Sequence, residues 1–327
     1  MSRNRPRRSR PTSAGSLLAL AALALSVPLQ AQAPAATAQA SPAPAPGSWV
    51  DRIQPIAVPV EPGAVALPLG TTLPGGQAEA WAQQSPDQRI AYNVSQPTLV
   101  AVPSSLPADR AAPAVLLVPG GGFQFLAMDN EGYDVARKLD RLGVRVFIVK
   151  YRTAPLTGGF AGFKAALTGL FVKGGPAPLE VVPHAVADLQ AAIRLVRGRA
   201  AEWRVDPRRI GVLGFSAGAI TVLAQTLANQ PDTRPDFVGM IYGPTASAAV
   251  PSGAPPLFAA LAADDRFFKS QDLGLIDAWR KAGSGVEFHL YSAGGHGFAS
   301  HPNGTTSDAW FDQYALWLKA SGTLAQP

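Results

Sequence analysis

The pentapeptide Gly214-Phe215-Ser216-Ala217-Gly218 sets one serine among small residues, and such a serine has a chemical use only if the chain turns sharply there. Ahead of it, Ile210, Val212 and Leu213 form an apolar run of strand length. Behind it, Ile220, Val222, Leu223 and Ala224 continue as a helix without a polar break. Glycine flanks permit a turn so tight that the hydroxyl is pushed out above a sheet, the G-x-S-x-G pattern of a nucleophile. The plain alternative is a Gly-rich loop with a helix-capping serine. An exposed serine attacks poorly until a base takes its proton, so the pattern requires a histidine and an orienting carboxylate further along.

The chain has four histidines. His296 lies in "SAGGHGFAS", directly after the last strand candidate, in a Gly-rich loop that lets the ring reach across a sheet edge. His289 falls inside that strand and reads as a core or surface residue, His301 sits in a polar loop before Pro302, and His184 opens a helix well before Ser216, where it caps or packs. The adjacent acids Asp264 and Asp265 follow "PLFAALA". Composition does not choose between them, since the residue three places on is Phe267 or Phe268. "VPGGGFQF" follows "AVLLV", and its glycines leave backbone N–H groups unobstructed. Gly121, Gly122 and Ala217 are therefore the expected donors to the oxyanion of a tetrahedral intermediate. A phosphate cradle is the competing reading, but no Walker-type lysine follows and no second ordered glycine pattern appears. The chemistry is two-step acyl transfer with Ser216 as nucleophile and His296 as base; it implies no metal and no organic cofactor.

Residues with these roles must stand at the ends of strands. Strand candidates are "TLVAV" (98–102), "AVLLV" (114–118), "RVFIVKY" (145–151), "RIGVLGF" (209–215), "FVGMIY" (237–242), "PLFAALA" (256–262) and "VEFHLYS" (286–292), with helical patterns near 130–142, 184–200, 217–229, 271–282 and 306–319. Several strands are apolar on both faces, as in a mostly parallel, doubly wound α/β sheet covered by helices on each side. Residues 155–183 break the alternation. Phe160, Phe163, Leu167, Leu170 and Phe171 there would form one apolar helical face, either a small lid over the site or an elaborated crossover.

The calculated pI of about 9.8 does not indicate a nucleic-acid partner. The net charge of +6 owes five units to Arg3, Arg5, Arg7, Arg8 and Arg10, with no acid before Asp51, so the remainder is nearly neutral. Those arginines precede the apolar run "LLALAALALSV" (17–27), too short to span a bilayer, and then small-residue sites "AQA" ending at 33 and 40. Residues 1–33 are the expected signal peptide, with cleavage as late as 40. Residues 31–47, "AQAPAATAQASPAPAPG", are Ala/Pro-rich, so 34–50 is the expected linker and 51–327 a single domain. The expected location is periplasmic or secreted from a bacterium, by the general route because Ser9-Arg10-Pro11 does not complete a twin-arginine signal, with no stable membrane anchor after cleavage. The absence of cysteine excludes disulfides, thiolate metal sites and a cysteine nucleophile.

Glycine donors, then G-x-S-x-G, then Asp, then His, each after a successive strand, resembles the α/β-hydrolase superfamily over roughly residues 95–320. More narrowly, "PGGGFQFLAMDNEGYDVARKLDRLGVRVFIVKYR", "DPRRIGVLGFSAG" and "GGHGF" look like the bacterial esterase group that includes acetylxylan esterases and feruloyl-esterase-like enzymes, related to the hormone-sensitive-lipase-like esterases. The resemblance implies the α/β-hydrolase fold and a secreted serine esterase acting on a small ester or acylated carbohydrate. It also favours Asp264 as the triad acid, from relatives with paired aspartates in which the first carries the role. An acetyl preference, with Phe123 and Phe125 beside the donor loop, is part of the same expectation. Two departures bear on specificity: Pro119 stands where the wider set often has His, and "AGAIT" stands where close relatives tend to read "AGGHL". A serine peptidase of the prolyl-oligopeptidase type shares the triad order but usually carries a large extra domain. A non-catalytic binding protein on the same fold would usually have lost a triad member.

Overall fold

The computed structural model describes residues 48–324 apart from 69, 71, 72 and 108. The expected signal peptide and the linker up to residue 47 lie outside the described residues. In chain order come α1 (Ser48–Arg52), β1 (Gln54–Ile56), β2 (Ala64–Ala66), β3 (Ala80–Gln83), β4 (Arg89–Tyr92), β5 (Thr98–Ala101), β6 (Ala112–Val118), β7 (Phe125–Leu126), α2 (Asp134–Arg141), β8 (Arg145–Lys150), α3 (Gly159–Leu167) and α4 (Val182–Gly198). They are followed by β9 (Val205–Phe215), α5 (Ala217–Leu227), β10 (Phe237–Ile241), β11 (Leu257–Ala262), α6 (Gly274–Lys281), β12 (Val286–Tyr291) and α7 (Trp310–Ala320).

The main sheet has the order β12-β11-β10-β9-β6-β8-β5-β2. Its strands from β12 to β8 run parallel, and β5 and β2 continue it antiparallel. The central strands β6, β10 and β11 are buried along their whole length, which is why they read as continuous apolar runs rather than alternating ones. Helices fill both faces: Leu189, Ile193 and Val196 of α4 and Val222 of α5 join the sheet in one apolar core with Tyr314 and Leu318 of α7. All nucleophile, base and acid candidates follow the carboxyl ends of parallel strands, where an open α/β sheet leaves its crevice.

A second, four-stranded antiparallel sheet, β1-β3-β4-β7, was not legible as such in the sequence. It makes its own apolar cluster with Val50, Ile53, Tyr92, Phe125, Phe163 and Leu167, in which the Tyr92 and Phe163 rings stack at 3.9 Å. The folded part therefore reaches back before residue 51: Val50 is buried, and Trp49 packs edge-on against Phe171 at 5.5 Å. The 155–183 segment forms α3, a π-helical turn Thr168–Val172 and a 3-10 turn Leu179–Val181. Its Phe163 and Leu167 seat on the small sheet, which leaves Leu170 and Phe171 to face the crevice.

Candidate active site

β9 ends at Phe215 and α5 begins at Ala217, so Ser216 alone makes the corner, with φ 51° and ψ −117°. A non-glycine residue held there stores strain on the order of 1–3 kcal/mol. The surroundings hold it in place: the Ser216 N–H donates to the Ile241 carbonyl at 3.1 Å, and the Ser216 carbonyl accepts from the Ile220 N–H at 3.0 Å. The flanking glycines are steric requirements. A Cβ at Gly218 would stand 1.8 Å from the Val118 carbonyl oxygen, and one at Gly214 would stand 2.5 Å from the Gly218 carbonyl oxygen.

The Ser216 Oγ lies 2.8 Å from His296 Nε2, and His296 Nδ1 lies 2.7 Å from Asp265 Oδ2. With the Nδ1 proton donated to the carboxylate, Nε2 is left as the acceptor for the serine hydroxyl. The imidazole is held edge-on by Phe267 at 4.7 Å and backed by Tyr242 at 4.9 Å between ring centroids. Asp265 is fully buried, and its other oxygen accepts the N–H groups of Phe267 at 2.8 Å and Phe268 at 3.2 Å.

Asp264 is not the carboxylate on the imidazole, which corrects the expectation drawn from paired aspartates. After β11 the Asp265 N–H bonds back to the Ala262 carbonyl at 3.0 Å, and this turn points neighbouring side chains in opposite directions. Asp265 goes inward. Asp264 goes outward, where its Oδ1 accepts the Gly295 N–H at 2.8 Å. The other histidines stand elsewhere: His289 pairs with Glu287 on β12, His301 contacts Asn130 and Gln88, and His184 lies beside Arg152 at the start of α4.

Gly122 and Ala217 flank Ser216 on the wall of a cavity of about 70 Å³, whose other walls include Phe123, Leu170, Phe171, Ile220, Phe267 and Phe268. Their N–H groups have no hydrogen-bond acceptor among the described residues. Gly121 turns the loop instead: its φ is 135°, and its carbonyl accepts from the N–H groups of Gln124 and Phe125. Of the two expected phenylalanines, Phe123 lines the cavity and Phe125 packs into the small-sheet cluster. The Arg266 guanidinium donates to the Phe171 carbonyl, joining the cover to the loop that carries Asp265.

Sequence reasoning missed Glu131. It is buried beneath the glycine loop, where Oε2 accepts the Gly120 N–H and Oε1 accepts the Tyr242 hydroxyl at 2.7 Å. Burial raises its carboxyl above the ordinary range, opposed by those two hydrogen bonds. Tyr242 is likewise held well above an ordinary phenol by burial and by the facing carboxyl. Among the described residues, no cluster of three or more His, Asp or Glu has the arrangement of a metal site.

The BD-FAE family model matches residues 177–242, the stretch from just before α4 through the Ser216 corner to Tyr242. An acetylxylan esterase of Xylanibacter ruminicola is 23% identical, aligned over 71% of this chain and 51% of its own, so the chain spans about half the length of that relative. Among solved structures, an acetyl ester-xyloside bifunctional hydrolase from Caldicellulosiruptor lactoaceticus superposes with a TM-score of 0.55 at 24% identity, covering 70% of this chain and 90% of that one. The apo form of Thermogutta terrifontis esterase 2 gives 0.57 at 19% identity over 82% and 98%. The carboxylesterase Cest-2923 from Lactobacillus plantarum gives 0.55 at 19% over 72% and 95%. With its strand order, its serine corner and these likenesses in agreement, the chain has the α/β-hydrolase fold.

Proposed function

We propose that this chain is a serine carboxylic-ester hydrolase that removes short acyl groups, acetyl foremost, from carbohydrate esters outside the cytoplasm. The observation that carries the reading is the unbroken run from Ser216 Oγ through His296 to Asp265, at 2.8 and 2.7 Å. In the first step Ser216 Oγ attacks the ester carbonyl and its proton passes to His296 Nε2, while Asp265 holds the imidazolium and its tautomer. The carbonyl oxygen takes the negative charge and accepts the Gly122 and Ala217 N–H groups, worth about 3–4 kcal/mol per donor in such sites. The imidazolium then gives its proton to the departing alkoxide, leaving an acyl-serine. Water, deprotonated by the same nitrogen, attacks that ester and releases the acid.

The leaving group must face His296, and the apolar cavity that Ser216 shares with Gly122 and Ala217 is read as the acyl pocket. At about 70 Å³ it is small and apolar, which favours a short acyl group. The carbohydrate side of the proposal is supported by the acetylxylan esterase relative and by the N-terminal segment that reads as an export signal. Fluorophosphonate labelling of the purified protein, with release of acetate from acetylated xylan followed alongside, tests it. Labelling that disappears in Ser216→Ala, with acetate release by the unaltered chain, is the expected result. No labelling would sink the enzymatic reading, and peptide cleavage without ester cleavage would move it to a peptidase.

A further inference from the structure

Residues Met128–Tyr133 form a π-helical turn, closed by the Asp134 N–H on the Asp129 carbonyl. Such wide turns are rare and concentrate at functional sites. Here three consecutive side chains serve three different walls. Asp129 takes Arg89 of β4 through three hydrogen bonds of 2.7, 2.9 and 2.7 Å. Asn130 holds Ser300, four residues beyond His296, by its Oδ1 at 3.0 Å and its carbonyl at 2.7 Å. Glu131 enters the space under the glycine loop.

The two partners of Glu131 bear on different members of the reacting pair, Gly120 on Ser216 and Tyr242 on His296. Gly120 presses on the serine corner so closely that a Cβ there would stand 2.7 Å from both the Phe215 carbonyl oxygen and Ser216 Cβ. A shift of Gly120 is therefore passed directly to the nucleophile and to the donor loop two residues on. Tyr242 backs the His296 ring, and its own φ of 39° is unfavourable for a tyrosine, so its position needs an anchor. The hydroxyl bond to Glu131 supplies it. The rest of the loop is fixed by Tyr151, whose hydroxyl donates to the Pro119 carbonyl at 2.7 Å, and by the Ala127 N–H on the Gly120 carbonyl at 3.0 Å.

We propose that Glu131 is a positioning residue of the hydrolytic site: its carboxyl clamps the donor loop to the ring that backs His296, and so fixes the Gly122 and Ala217 N–H groups relative to the Ser216–His296 pair. The inference rests on the esterase reading above. Glu131 touches neither substrate nor the reacting atoms. Its contribution is realised as charge develops on the carbonyl oxygen, so its loss falls on kcat rather than KM.

The test is steady-state kinetics of Glu131→Gln, Tyr242→Phe and the double variant with p-nitrophenyl acetate, with rates expressed per active site titrated by fluorophosphonate. Glu131→Gln should lower kcat about 10- to 100-fold with KM held within about 2-fold, the scale of a loop misplaced by a fraction of an ångström. Inhibition by a trifluoromethyl ketone, which mimics the tetrahedral intermediate, should weaken in proportion to the loss of kcat/KM. Tyr242→Phe should lose less, and the double variant no more than Glu131→Gln alone, because the two side chains act as one unit. Asp188→Asn, which alters an equally buried carboxylate paired with Arg152, should lower the melting temperature and leave kcat per site unchanged. A Glu131→Gln enzyme with full kcat per titrated site would overturn the clamp, whatever its melting temperature. An unaltered chain that hydrolyses no ester would sink the esterase reading and the clamp with it, whereas an active chain indifferent to Glu131→Gln sinks the clamp alone.

Discussion

Asp264 and Asp265, neighbours in the chain, grip the histidine loop at consecutive residues: Asp264 Oδ1 holds the Gly295 N–H at 2.8 Å and Asp265 Oδ2 holds His296 Nδ1 at 2.7 Å. One fixes the backbone that presents the ring, and the other fixes the ring. Asp265→Asn should lower kcat by about 10⁴-fold, because an amide at that position favours the wrong imidazole tautomer. Asp264→Asn keeps an oxygen for the Gly295 N–H and should cost less than about 5-fold, a loss near 1 kcal/mol. Kinetics of the two single variants at one pH measure both, and the opposite ranking would return the role to Asp264.

Ser216→Ala should abolish turnover of p-nitrophenyl acetate, and His296→Ala should lose nearly as much. The double variant should be hardly worse than either, since the residues act as a unit. Relief of the unfavourable φ at position 216 does not follow from the alanine change, because alanine also carries a Cβ. The melting temperature of Ser216→Ala should therefore stay within a few degrees of the parent, and a large fall would place the serine in the packing rather than in the chemistry.

The acyl pocket makes a prediction about chain length. Leu170 stands over the donor loop, so close that a Cβ at Gly122 would meet its Cδ2 at 2.3 Å. The unaltered enzyme should prefer acetate to hexanoate esters by about 10-fold or more in kcat/KM, since unaccommodated methylenes cost about 1–3 kcal/mol. Leu170→Ala should narrow that ratio by about 10-fold and lower stability by about 2–3 kcal/mol, as for a buried leucine at a cavity edge. Esters of two to eight carbons decide it; an unchanged profile would remove Leu170 from the pocket wall.

The raised carboxyl of Glu131 has a pH signature. Its proton is held more tightly in the folded chain than in the unfolded one, whose ordinary value is 4.5. Below that value both states are protonated and the group contributes nothing. As pH rises through it the unfolded chain loses its proton first, so this group subtracts stability progressively until the folded carboxyl also ionises. The groups facing it are Tyr242 and His296. The melting temperature of Glu131→Gln minus that of the parent should thus increase as pH rises from about 4.5, and thermal scans that show it flat or falling would refute the raised value.

What the sequence disclosed follows from what one dimension can carry. The Ser216 corner was legible because strand, tight turn and helix must follow one another within about fifteen residues, and the central strands because burial on both faces leaves no polar alternation. The choice between Asp264 and Asp265 was not, because a single hydrogen bond from the Asp265 N–H to Ala262 decides which side chain turns inward. The small sheet escaped because its strands β1, β3, β4 and β7 are two to four residues each, too short for a readable period. Glu131 gave no signal, since its partners lie 11 and 111 residues away and neither belongs to a motif that demands a carboxylate.

The π-helical turn at Met128–Tyr133 places a constraint on length that composition would not reveal. Each residue of a helix advances the side-chain direction by roughly a quarter of a turn or slightly more, so inserting or deleting one residue upstream of Asp129 would swing three consecutive side chains off three separate walls at once. Arg89, Ser300 and Gly120 would lose their partners together. The segment lies in a connection between strands, where changes of length are ordinarily absorbed. In this chain it should tolerate exchange of residue types at Met128 better than any change in the number of residues.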